Sequence, residues 1–129
     1  MFETDDQPHR QEKTMHKLSG EMKSCIDACQ RCHAVCLQTA MQHCLELGGR
    51  HTEPKHFRLM MACAEVCRAS AALMLIGSPG HRMQCDLCAR FCEECAADCE
   101  QIGDMEDCVA ACRACAKECR TMAIRAMAA

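Results

Sequence analysis

The chain has 129 residues but no tryptophan and no tyrosine, and three phenylalanines bring its aromatic share to only 2%. Branched core formers are scarce too, with eight Leu, four Ile and three Val. That is too little to fill an ordinary close-packed interior. Sparse Val, Ile and Thr also argue against strands. Three Pro and six Gly leave long stretches without a breaker, as extended helices require. Positive charge is not in excess: 15 Lys and Arg against 18 Asp and Glu give −3, with a pI near 6.1. Nucleic acid is therefore not an expected partner, since it calls for a basic patch. The same near-neutral balance weakens a reading as a disordered chain. The longest apolar run, Ala69 to Ile76, contains Ser70 and is short for a membrane span, so no membrane partner is expected. Met1 to Pro8 show no basic stretch, apolar segment or twin arginine. No export signal is read there, and a cytoplasmic location is expected.

Sulfur fills the gap. Sixteen cysteines and eleven methionines outnumber all the ordinary core residues. Cysteine density beyond roughly 8–10% flags a scaffold built on cysteine. In an exported chain that means disulfides, whereas in a reducing compartment cysteines are more often metal ligands or catalytic thiols.

The breakers divide the chain cleanly. Gly48-Gly49, Gly77-Ser78-Pro79-Gly80 and Gly103-Asp104 are helix stops. Thr52, Ser78 and Asp104 read as capping residues for the helices that follow, with Pro54 and Pro79 in first turns. The spacing predicts helices over about 20–47, 54–76, 81–102 and 105–126. Residues 1–19 read as a polar tail or short helical extension, and 20–129 as one domain. Short connections make neighbours antiparallel, so the expected fold is all-α, an up-down-up-down four-helix bundle.

The cysteines fall in a single register on each helix. The first carries Cys25, Cys29, Cys32 and Cys36, with Cys44 two turns beyond; the second carries Cys63 and Cys67. The third carries Cys85, Cys88, Cys92, Cys95 and Cys99, and the fourth Cys108, Cys112, Cys115 and Cys119. Alternating steps of three and four mark the face a helix turns towards its partners. Asp27, Arg31, Asp86, Arg90, Glu93, Glu94, Asp98, Arg113, Lys117 and Glu118 lie between and form the solvated face. Packing alone explains one or two buried cysteines, but not an entire core of them. Disulfides fit poorly, because Cβ atoms at i and i+4 stand about 5–6 Å apart, against about 3.5–4.5 Å in a disulfide. A metal ion fits between two such sulfurs.

Thiolate surroundings select Cu(I), Zn(II) or iron–sulfur clusters. No cysteine precedes proline and the ferredoxin run is absent, which disfavours iron–sulfur. Four thiolates around Zn(II) would leave a charge of −2 in a dry core. Cu(I) and thiolate neutralise one another, and Cu(I) accepts two or three sulfurs. Multiple Cu(I) ions, about one per cysteine, are the expected cargo. Zinc buffering or thiol redox chemistry is the alternative. No nucleophile–base–orienter set and no phosphate loop stand out, so an enzyme is not expected.

Cys25-x3-Cys29-x2-Cys32-x3-Cys36, its echo at Cys108-x3-Cys112-x2-Cys115-x3-Cys119, and the run from Cys85 to Cys99 resemble the bacterial four-helix-bundle copper storage proteins, in their branch without a signal sequence. The resemblance implies many Cu(I) ions admitted at one end, exchange with copper-donating or copper-accepting proteins, and a homotetramer. Topology gathers His43, His51, His56, Met60, Met61 and Met105 at one end. His43 continues the stripe of Cys29 and Cys36 by sevens, and Met60 precedes Cys67 and Met74 by sevens. These two are the preferred port residues, ahead of His51, His56 and Met105. Met22, Met74, His81, Met83 and Met122 mark the closed end. His9, His16 and His33 are read as surface residues.

Overall fold

A computed structural model describes residues 18–128, and side chains up to residue 123. The tail expected over 1–19, with His9 and His16, lies almost wholly outside the described residues. Helix α1 runs over Gly20–Thr39 and continues through a π-helical turn, Ala40–Cys44, into Leu45–Leu47. Helices α2 (Pro54–Ile76), α3 (His81–Ile102) and α4 (Glu106–Ala128) follow. No strand occurs among the described residues. Each helix packs on its sequence neighbours, and α4 returns to α1 to close the square. At 1.5 Å per residue, α2 is about 34 Å long, which sets the length of the core.

The stops behave as their glycines demand: Gly48, Gly77 and Gly103 have φ of 67°, 79° and 88°, where an L side chain would be strained. The predicted caps behave differently. Ser19 caps α1, its Oγ accepting from the Met22 N–H at 3.0 Å. Thr52 instead donates its hydroxyl to the Gly49 carbonyl inside a 3₁₀ turn, and Glu53 precedes α2 without a side-chain cap. Ser78 accepts from the Gly80 N–H within the turn, and α3 starts only at His81. Asp104 takes up a left-handed φ of 59°, so α4 begins at Glu106. Caps depend on the backbone dihedrals of the turn as well as on residue type, which is why those three fail.

The interior is sulfur. All sixteen cysteines are free and fully buried, accompanied by Met60, Met74, Met105, Met122 and a set of alanines. Ile26 is the single branched aliphatic residue fully buried among the described residues. Val35, Leu37, Phe57, Leu59, Val66, Phe91, Ile102 and Val109 form a half-buried collar around the sulfur. Met83, expected at the closed end, is 80% exposed and lies outside the core. His33, read as a surface residue, is half-buried, and its Nδ1 lies 2.9 Å from the Ala64 carbonyl, tying α1 to α2.

Helix α2 also amends the membrane expectation. Its most apolar 18-residue window has a mean hydropathy of 1.7, enough by length and composition to cross a bilayer. Counting one uninterrupted run misses this, because Arg58, Glu65 and Arg68 punctuate an otherwise apolar helix. Here that helix forms one wall of the thiol core.

Candidate metal centre

The 3/4 registers bring sulfurs from four helices into overlapping groups. Cys25, Cys85 and Cys119 make a triangle at one end. Then come Cys29, Cys88, Cys115 and Cys119; Cys32, Cys67, Cys92 and Cys115; Cys32, Cys36, Cys63 and Cys112; and Cys36, Cys95, Cys108 and Cys112. Within each group all sulfurs lie inside 4.8 Å of one another. Consecutive groups share at least one cysteine: Cys119, then Cys115, then Cys32, then Cys36 with Cys112. Contacts such as Cys67–Cys92 at 3.5 Å and Cys88–Cys92 at 4.0 Å make the stack continuous. Cys99 joins it at 3.8 Å from Cys108. Helix α2 supplies only Cys63 and Cys67, so the end groups are built without it.

Shared hydrogens polarise this core. Cys88, which donates to Cys67 at 3.6 Å, is held below the ordinary thiol range by its hydrogen bonds with Cys115, Cys119, Cys29 and Cys67. Cys92, bonded to Cys115, Cys32, Cys63 and Cys67, is pushed well above it. Neighbouring thiols are thus shifted in opposite directions by the hydrogen bonds they share. A monovalent soft cation replacing each released proton keeps such a core neutral.

Cys44 stands beyond the last four-sulfur group. A regular helix places His43, seven residues after Cys36, on the stripe. The π-helical turn, in which the Leu45 N–H donates to the Ala40 carbonyl, inserts one residue and overturns that expectation. Ala40 and Cys44 turn inward, both fully buried. His43 turns aside, its Nε2 2.8 Å from the Asp104 carbonyl. The imidazoles beside Cys44 are those placed second by sequence: His51 Nδ1 at 3.9 Å and His56 Nε2 at 3.8 Å. Met60 Sδ lies 3.7 Å from the same thiol. The His43 and His51 rings meet edge-on at 5.5 Å, so His43 forms an outer layer. Burial pushes the Cys44 thiol up to about 11, with Cys108 and Cys95 adding to the effect.

His56 is 2% exposed, and its Nδ1 lies 2.5 Å from Oδ2 of Asp98 on α3. Sequence reasoning assigned Asp98 to the solvated face; the structure leaves it 24% exposed and aimed at His56. Its place three residues after Cys95 and one before Cys99 was the available signal, since only the edge of a stripe faces a neighbouring helix. Met105 is buried beside this end, in the wall of a cavity of about 430 Å³ that also includes His43, Asp104 and Cys108.

A four-helix bundle whose core is thiol from end to end, with imidazoles gathered at one end, defines a multi-ion soft-metal protein. Residues 13–124 match the copper storage protein family, and the chain belongs to it. It is similar to the Nmul_A1745 protein of Nitrosospira multiformis, with 50% identity and a TM-score of 0.80 over 81% of this chain and 96% of that one. It is also similar to the Cu(I)-bound copper storage protein BsCsp3, with 34% identity and a TM-score of 0.74 over 80% of this chain and 98% of that one. A cysteine-rich protein of Bacillus subtilis, YhjQ, is 35% identical over 77% of this chain and 86% of its own length.

Proposed function

We propose that this protein stores Cu(I) in bulk, on thiolates along the whole bundle core. The observation that carries this reading is the overlap of the five sulfur groups, which offers many equivalent soft sites and no single distinguished one. Each ion is held by two or three cysteines and each cysteine serves neighbouring ions, so capacity is about one copper per thiol, near 16. Anaerobic Cu(I) titration of the reduced protein against a coloured chelator tests it. Saturation near the thiol count is expected, and saturation at one to four ions overturns bulk storage.

We further propose that the Cys44 end is the mouth. Cys44 and Met60 bind first, with His51 and His56 beside them and His43 behind. Imidazole and thioether hold Cu(I) less tightly than paired thiolates do, which suits transit. The mouth exchanges copper with donor or acceptor proteins. The family is one of storage proteins, and no catalytic role is assigned. A free-thiol core persists in a reducing compartment, which supports a cytoplasmic location; cell fractionation tests it. Leu75, Ile76, Met83 and Leu87, all more than 40% exposed, favour burial between copies in a homotetramer, for which light scattering of the purified protein is the test.

A further inference from the structure

We propose that Asp98 is a positioning residue for the mouth: by accepting from Nδ1–H of His56 it fixes the imidazole tautomer whose Nε2 lone pair faces Cys44. The inference rests on the reading of Cys44 as the mouth and adds the device that keeps its imidazole ready to bind. Three observations converge on it. The Nδ1–Oδ2 separation is 2.5 Å, and Oδ2 of a carboxylate only accepts, so the hydrogen resides on the Nδ1 side. The ring is 2% exposed, which leaves little water to offer a competing partner. The free nitrogen, Nε2, is the one 3.8 Å from Cys44 Sγ, with Met60 Sδ 3.7 Å from the same sulfur.

A neutral imidazole left to itself distributes between tautomers, and the one with hydrogen on Nε2 presents no lone pair to an ion at Cys44. A carboxylate on the far nitrogen removes that ambiguity. His51 is held differently: its Nδ1 faces Cys44 at 3.9 Å, and its ring stands between those of His43 and His56, edge-on to both. The two imidazoles at Cys44 therefore differ: a carboxylate backs His56, and imidazole rings flank His51. Asp98 itself belongs to α3 and His56 to the first turn of α2, so the lock also ties the mouth to the wall that carries Cys95 and Cys99.

The test compares Asp98→Ala, Asp98→Glu and His56→Ala in the full chain. It uses stopped-flow Cu(I) uptake from a coloured chelator and nitrogen-15 spectra of the histidines in the metal-free protein, at a pH where imidazole is neutral. Asp98→Ala is expected to slow uptake about 10-fold, the lower end of the range for partners behind a metal ligand. Its final copper content should be unchanged, and the His56 signals should move from the Nδ1–H pattern towards Nε2–H. Asp98→Glu is expected to restore most of the rate. Should Asp98→Ala fail to fold, Asp98→Ser, too short to reach Nδ1, replaces it. If His56→Ala slows uptake but loss of the carboxylate leaves both rate and tautomer unaltered, the positioning role is overturned. If His56→Ala also takes up copper at the wild-type rate, the mouth reading itself falls.

Discussion

Each end of the thiol stack closes with the same pair, a cysteine against a methionine sulfur. Cys44 donates to Met60 Sδ at 3.7 Å at one end, and Cys85 to Met74 Sδ at 3.9 Å at the other. What surrounds the pairs differs. Beyond Cys44–Met60 lie three imidazoles, a carboxylate and a cavity. Near Cys85–Met74 the described side chains include Met22 and Met122, while His81 is bonded locally to the Ser78 carbonyl. Thus the sulfur pair ends the core at both ends, and on the proposed reading the nitrogen and oxygen groups beyond Cys44 make that end passable. If the mouth is where it is proposed, polarity behind the terminal thioether is what distinguishes a port from a plug.

The largest effects should come from removing those thioethers. Met60 and Met74 are both fully buried. Met60→Ala and Met74→Ala should each cost about 2–5 kcal/mol of stability in denaturant unfolding of the metal-free protein. Only Met60→Ala should also slow copper uptake; equal slowing by both would erase the distinction between the ends. A somewhat smaller effect is expected from pH. Since the Cys44 thiol is raised from 9.0 to about 11 in the fold, the native state keeps a proton that the unfolded chain loses first. This contribution is intact below about pH 9 and disappears as pH rises through about 11. Its ceiling is about 2–3 kcal/mol. Melting of wild type against Cys44→Ser across that window measures it, and the wild type should lose more.

The bundle was legible in the sequence because it rests on repetition. Helix limits at 54–76 and 81–102 follow from a few glycines and prolines, and the thiol interior from eleven helical steps of three or four. The mouth was less legible, because it depends on a departure from repetition. A single extra residue in the π-helical turn exchanges His43 for Cys44 on the stripe, and nothing in Ala40-Met41-Gln42-His43-Cys44 announces it. His56 and Asp98 then meet across helices, which spacing along one helix does not reveal. Deleting Gln42 tests this reading of the register. It removes the extra residue, so Cys44 falls seven residues after Cys36 and a regular helix keeps it on the stripe. Cys44 should stay protected from alkylation in the folded protein. Its exposure would show that tertiary packing around the π-helical turn, and not chain register, holds it inward.

The smallest effect on the fold is expected in the middle of the stack, where the functional loss is also small. Cys112 belongs to two four-sulfur groups, so Cys112→Ser opens a corner in each. Its remaining partners, including Cys32 and Cys36, still contact one another at 3.8 Å, and copper can redistribute among them. Capacity should fall by one or two ions, read by the same chelator titration, with the uptake rate unchanged. The buried hydroxyl need not be orphaned. Ser70 sits fully buried on α2 with its Oγ donating to the Val66 carbonyl at 2.9 Å, and a serine at position 112 has the Cys108 carbonyl at the same helical offset. The stability cost should therefore stay near 1 kcal/mol, well below the Met74→Ala loss. Cys44→Ser should show the reverse pattern, with at most one ion lost but uptake slowed. Interior and mouth thus separate into capacity and rate, and a Cys112→Ser protein that loads slowly, or loses all its copper, would join them into one cooperative site.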